Sequence, residues 1–305
     1  MKLSREQFEK LNAFAGYGDQ KQADVIYFGM EEGLGGKDIE PNIMARCEYY
    51  GKDSRGWFNP TTWKDGYFER CGSEAAEKMA ACLTDLGLDN PADGSNGNIQ
   101  SLEFMSRLSL FLKEPEKPWF ALKGEQPELY DRITAYWRNA RLFHADEKIK
   151  TALFDWKPLP RANVSDWPYE VEDDLFLKKE YEDAFDFKEH SNPFLTEMVQ
   201  KRLELLGRVV STETFSTLIA FGGRTGKVRI LTEALSRVTK DPIAFQEVVL
   251  PESKQTISVA ELTINGKKRL FICSPFFDSK VLSRKGLEEL AQYIHPYFSK
   301  NEILV

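Results

Sequence analysis

The chain has 305 residues, 42% hydrophobic and 29% charged, with 20 Gly and 14 Pro. These proportions exclude a disordered, collagenous or coiled-coil chain and fit one elaborated α/β domain spanning residues 1–305. No stretch approaches the roughly 18 consecutive apolar residues of a membrane span. The opening Met1-Lys2-Leu3-Ser4-Arg5-Glu6-Gln7 has no apolar signal core. A cytoplasmic protein with no membrane partner is therefore expected. Cys47, Cys71, Cys82 and Cys273 form no C-x-x-C pair, and His144, His190 and His295 have no metal-ligand spacing. Reduced thiols and no metal or other cofactor are expected. The net charge is −7. Residues 166–190 hold ten acids against three lysines, an excess equal to the whole imbalance. With Tyr169, Phe176, Tyr181, Phe185 and Phe187 interspersed, this stretch reads as a solvated surface segment anchored by aromatics. The remainder is neutral, so net charge neither supports nor excludes a nucleic-acid partner; a local basic face decides that.

Four apolar runs have strand length and end in turn signals: Val25–Phe28 before Gly29, Thr151–Phe154 before Asp155, Thr217–Phe221 before Gly222-Gly223, and Leu270–Cys273 before Ser274-Pro275. Continuous apolar strands are buried on both faces, which predicts a four-stranded parallel central sheet flanked by helices. Helical patterns occupy Gly72–Leu88, the stretch from Phe194 to Val209 opened by Asn192-Pro193, Thr225–Val238, and Ser283–Ile294 with Ser283 as N-cap. Alternation in Ile257/Val259/Glu261 and Leu262/Ile264 around Asn265-Gly266 predicts a C-terminal β-hairpin feeding the fourth strand. Residues 37–147 read as a large helical and loop insertion after the first strand.

In open α/β sheets the ligand sits at the carboxyl ends of the strands. The candidate site is therefore Gly29-Met30-Glu31-Glu32-Gly33, Asp155-Trp156-Lys157-Pro158, Gly222-Gly223-Arg224 and Ser274-Pro275-Phe276-Phe277. The run Gly222-Gly223-Arg224-Thr225-Gly226-Lys227 is not a P-loop, because Phe221 and Val228 stand where that motif needs Gly and Ser or Thr. The chain also lacks G-x-S-x-G and G-x-G-x-x-G signatures, which speaks against a hydrolase of that class or a dinucleotide enzyme.

The set of four strand ends resembles the uracil-DNA glycosylase superfamily, over roughly residues 22–36 and 148–295. The Gly-Met opening of Gly29-Met30-Glu31-Glu32-Gly33 is similar to its single-strand-selective and mismatch-specific branches. The resemblance implies a metal-independent, monomeric DNA glycosylase that uses water to hydrolyse the N-glycosidic bond of a base flipped out of duplex or single-stranded DNA. Glu31 falls at the water-directing position. A carboxylate there can steady the oxocarbenium-like sugar and orient water; the plainer reading of Glu31 and Glu32 is solvated or capping side chains. Ser274 stands where the family often has a catalytic His, and Asp155 where it has a base-reading Asn. An Asp can accept a hydrogen bond from an exocyclic amine, or simply pair with Lys157 or Arg161.

The resemblance places Met30, Glu32, Phe58 and Asp155 around the flipped base. It places Lys157, Gly223, Arg224, Lys227, Pro275, Phe276 and Phe277 against DNA, with the phenylalanines as a wedge in the opened stack. Trp57 and Phe58 fit core packing equally well. The altered residues and the insertion imply a base other than uracil, such as a bulky glucosylated cytosine in phage DNA, with a role in repair or anti-phage defence. The competing expectation is a catalytically idle module that binds DNA or protein through the same fold.

Overall fold

The computed structural model describes residues 2–33, 39–40, 43–44, 47, 100–138, 141–143, 147–161, 165–212 and 214–299. Trp57, Phe58, the expected helix over 72–88, Cys71, Cys82 and His144 lie outside the described residues.

All four apolar runs form neighbouring strands: β2 (Val25–Gly33), β3 (Thr151–Arg161), β5 (Thr217–Phe221) and β8 (Lys267–Ser274). They follow β1 (Lys2–Leu3), with β4 (Glu170–Val171), β6 (Gln246–Val249) and β7 (Thr256–Ile264) between them in the chain. Across the main sheet the order is β3-β2-β5-β8-β7-β6. The first four are parallel, in register Thr151, Val25, Thr217, Leu270. Among the described residues the sheet thus has six strands of mixed orientation rather than four, because β7 and β6 extend it antiparallel. The β7–β8 hairpin turns at Asn265 and Gly266, both at positive φ (52° and 76°), the geometry of a tight two-residue turn. β6 is a short, mostly exposed edge strand whose Gln-Glu-Val-Val carries no strand signal in the sequence.

Parallel neighbours need crossovers, and these clothe both faces. The helices with described bounds are α1 (Arg5–Ala13), α2 (Gln100–Lys113), α3 (Pro127–Arg138), α4 (Lys178–Phe185), α5 (Pro193–Val210), α6 (Arg224–Leu235) and α7 (Ser283–Ser299). Successive strand residues point to opposite faces. Ile26, Phe28, Phe154 and Ala220 join a core with α1, α5 and α6. Val25, Tyr27, Ile219 and Ile272 join a second core with α2, α3 and α7. The described part of the 37–147 insertion is therefore structural cover: the Tyr27 hydroxyl donates to the Met105 carbonyl (3.0 Å). The acidic segment is anchored as expected, with Phe176, Tyr181 and Phe185 fully or almost fully buried.

The largest departure concerns the strand ends. Gly29–Gly33 and Asp155–Arg161, expected as loops, continue β2 and β3 as one ladder: Gly29↔Asp155, Glu31↔Lys157, then a bulge to Gly33↔Arg161. Pro158 and Pro160 are tolerated because β3 is an edge strand, where a missing N–H breaks no interior ladder.

The turn after β6 is pinned to α7 by Glu289, only 5% exposed, whose carboxylate accepts from the main-chain N–H of Glu252 (2.6 Å) and Ser253 (2.8 Å). Burial alone would raise this carboxyl, but hydrogen bonds from Ser253 and Glu252 outweigh it, and its pKa lies below the ordinary glutamate value. A depressed acid contributes stability above its unfolded pKa, and the contribution is lost as pH falls through the folded value. Glu289→Gln is expected to cost about 1.5 kcal/mol at neutral pH. Urea titrations should show that gap closing in acid; a pH-independent gap contradicts the charge-assisted role.

Candidate functional site

The carboxyl ends of β2 and β3 hold three carboxylates. Asp155 stands beside Gly29 in the ladder, and a Cβ added at Gly29 would lie 1.8 Å from Asp155 Oδ1. Glycine at 29 is thus what lets the carboxylate lie against the β2 backbone. Gly29→Ala is expected to displace the Asp155 side chain with little global unfolding, since the clash is with a side-chain tip. A matched melting curve together with a changed Asp155 carboxyl titration checks this; an unchanged titration overturns it.

The chain leaves β5 through Gly222 and Gly223, at φ 78° and 59°, and enters α6. That tight turn carries Lys227 back under the sheet. Its ammonium is fully buried, donates to the Phe28 carbonyl (3.1 Å) and sits 3.9 Å from the Phe28 ring centroid. Burial, and then the nearby charge of Glu32, push the Asp155 pKa up to about 7, against the pull of Lys227 and Arg202. Burial likewise pushes Lys227 down, with Asp155 opposing. The two groups titrate as one unit.

The other carboxylates have fixed partners. Glu31 Oε2 accepts from Arg161 Nε (3.0 Å) and Nη2 (2.7 Å), and Arg161 Nη1 donates to Glu182 (3.0 Å). Glu32 accepts from the Tyr17 hydroxyl. Lys157, 7% exposed, pairs with Asp186 (2.8 Å). A cavity of about 20 Å³, room for a single water, is lined by Phe14, Glu32, Asp155, Lys157, Pro158 and Arg202 among others. The structure therefore brings Glu32, Asp155 and Lys157 together around one small cavity walled also by Leu11, Phe14 and Pro158, with Lys227 coupled to Asp155. Glu31 is set in an ion-pair chain with Arg161 and Glu182.

The end of β8 lies two strands from β2, roughly 10 Å away. Ser274 is fully buried and its hydroxyl donates to the Pro275 carbonyl (2.9 Å). Phe277 is also fully buried: its ring stacks on Phe221 (4.9 Å between centroids) and meets Tyr27 and Phe104 edge-on or tilted. Phe277 is a core residue rather than a wedge, because its side chain turns inward to complete the α2–α7 core. Phe276 is 45% exposed and covers Gly222, with Pro275 half-buried beside it. Met30 reaches Gly223, and Arg224 pairs with Glu247 (2.8 Å). Lys227 and Lys157, expected at DNA phosphates, are buried and bonded within the protein; Gly223 and Phe276 are exposed, and Arg224 and Pro275 partly so.

Two site residues carry no motif. Arg202 of α5 is 2% exposed and donates to the main-chain carbonyls of Asn12 (2.7 Å), Phe14, Asp155 and Trp156 (3.0 Å). Tyr17 is held between Gly16 and Gly18, both at positive φ, and bridges to Leu153 on the open edge of β3. The one signal for Arg202 was its place in the apolar stripe of α5, between Met198 and Leu206.

Comparison with protein-family models, with curated proteins and with solved structures returned no match. Among the described residues, no helix is long and apolar enough to cross a membrane.

Proposed function

We propose that this chain is a monomeric DNA glycosylase that hydrolyses the N-glycosidic bond of a modified base flipped out of DNA. The observation that carries the reading is Asp155, a carboxyl with raised proton affinity beside Glu32 at a water-sized cavity on the carboxyl ends of parallel strands. A carboxyl with raised proton affinity beside a second acidic side chain can serve acid–base hydrolysis. In this reading Glu32, steadied by Tyr17, takes a proton from the attacking water, and protonated Asp155 gives its proton to the departing base. Glu31 braces β2 through Arg161 and does not touch the reacting atoms. A modified cytosine remains the favoured substrate class, because a carboxyl partner suits an exocyclic amine. Anti-phage defence is the corresponding biological role.

Incubation of the protein with DNAs carrying uracil, unmodified cytosine and glucosylated hydroxymethylcytosine, followed by detection of abasic sites, tests the reading. Abasic sites confined to the modified DNA are expected, and their absence from every substrate overturns it. A second reading, an idle DNA- or protein-binding module, is favoured by the Glu31–Arg161 ion pair, which occupies the position expected to direct water. Salt-sensitive DNA binding with no abasic product supports that alternative.

Phe276 separates duplex from single-strand action. An exposed ring on a proline-braced turn can fill the gap left by a flipped nucleotide. Phe276→Ala is expected to slow excision from duplex DNA about tenfold or more, since filling that gap offsets a few kcal/mol of unstacking. Single-stranded substrate should be nearly unaffected. Equal losses on both substrates remove the wedge role.

A further inference from the structure

The cavity at the ends of β2 and β3 is lined by two acids, Glu32 and Asp155, and by two basic side chains, Lys157 and Arg202. Arg202 is committed to the fold. Each of its three nitrogens donates to main-chain carbonyls: Nε to Trp156, Nη1 to Asn12 and Phe14, and Nη2 to Asp155. Lys157 is held differently. Its side chain is 7% exposed, and among the described residues its ammonium pairs with Asp186 Oδ1 (2.8 Å). An ammonium has three N–H donors, and that oxygen takes one of them.

The other donors are shut off from bulk solvent, so an acceptor inside the protein is needed to satisfy them. The pairing of β2 with β3 sets where that acceptor lies. Lys157 stands opposite Glu31 in the ladder, one residue from Glu32, and both Glu32 and Asp155 wall the same cavity as Lys157. Glu32 has Oε1 tied to the Tyr17 hydroxyl. The cavity, about 20 Å³, has the size of one water. A water there can accept from the ammonium and donate to a carboxylate, a bridge nearly as favourable as a direct hydrogen bond.

We propose that Lys157 holds the attacking water in this cavity, through an ammonium anchored from behind by Asp186. The proposal rests on the glycosylase reading and adds a group that its acid–base pair leaves out. The water accepts from Lys157 and donates to Glu32. As its oxygen bonds to the sugar carbon, its proton passes to Glu32. The electron pair of the C–N bond leaves with the base, which Asp155 protonates. Lys157 takes no part in these proton transfers; it lowers the energy of the negative charge that develops on the water oxygen. Asp186, the residue that follows α4, is 33% exposed, so the acidic segment reaches from the surface to the cavity through this one ion pair.

The test combines excision kinetics on glucosylated DNA with a high-resolution crystal structure of the protein. Lys157→Met keeps an apolar stem and leaves Asp186 partly in solvent, so the variant should fold. Its kcat should fall about a hundredfold, the size of removing one donor from developing charge, with KM nearly unchanged. A lysine that served only a DNA phosphate would instead raise KM and alter its salt dependence. Asp186→Asn should lower kcat by a smaller factor. Combined with Lys157→Met it should cost nothing further, because the anchor acts only through the ammonium. If the Met variant fails to fold, Asp186→Asn and the crystal structure decide. The wild-type crystal should show a water within hydrogen-bond reach of both Lys157 Nζ and Glu32. Product formed with unchanged kcat in Lys157→Met, a KM effect alone, or an ammonium turned away from the cavity overturns the Lys157 assignment and leaves the glycosylase reading standing. Wild-type protein that forms no abasic site on any DNA overturns both.

Discussion

Asp155→Asn is expected to abolish base excision, by about a thousandfold or more, while leaving the protein folded. The magnitude is that of removing a group which acts on developing charge or transfers a proton in the transition state. Asn keeps the volume beside Gly29 and the hydrogen-bonding capacity, so the ladder from Gly29 to Asp155 need not change. What it removes is the titration. Asp155 is raised to about 7 by burial and by Glu32, with Lys227 and Arg202 pulling the other way. A group with that value holds a proton at mildly acidic pH and gives it up above neutrality. If the protonated form is the active one, the wild-type rate falls as pH rises through that range, and the residual rate of Asp155→Asn shows no such fall. Rates on the modified substrate from about pH 5 to pH 9 check both statements. A variant with wild-type rate and profile removes Asp155 from the mechanism and leaves Glu32 to be tested alone.

The parts of this architecture that read directly from the sequence are those governed by local apolar pattern. The four runs became the four parallel strands because residues buried on both faces must be apolar throughout, as in Thr217–Phe221, where every residue is buried. The Asn192 cap, the Asn265-Gly266 turn and the helix beginning at Ser283 read equally well, since each depends on one or two residues and their backbone preferences. The ends of β2 and β3 did not read that way. Glu31, Lys157 and Pro158 look like loop residues, and only the long-range pairing of one strand with the other keeps them extended. Long charged side chains misled for a related reason. Lys227 and Arg202 have the composition of surface residues, yet both lie inside, because main-chain carbonyls at Phe28, Asn12, Phe14, Asp155 and Trp156 wait there for donors. Phe276 and Phe277 are identical in kind and adjacent. Which of them faces outward was settled by Phe221, Tyr27 and Phe104, none of them near in sequence.

Arg202→Met is expected to be the most destabilising single change, at about 4 kcal/mol. Among the described residues β3 has no partner strand on its outer side near Asp155 and Trp156, and the Arg202 guanidinium supplies the donors that a partner strand would. The same group holds Asn12 and Phe14, where the chain leaves α1 and turns towards Gly16. Its flat face lies 4.4 Å from the Phe154 ring centroid. Met fills much of the volume but donates nothing, so buried carbonyls lose their charged donor at once, each at a cost of about 1 kcal/mol or more. Arg202→Lys keeps the charge yet offers one compact ammonium in place of a planar fork, and it should lose about half as much. Urea unfolding with an unchanged slope measures both losses. Because Arg202 fixes the backbone of Asp155 itself, the Lys variant should also lose excision beyond its loss of folded protein. Two variants within about 1 kcal/mol of wild type would mean that these carbonyls find other donors and that the open edge of β3 stands without Arg202.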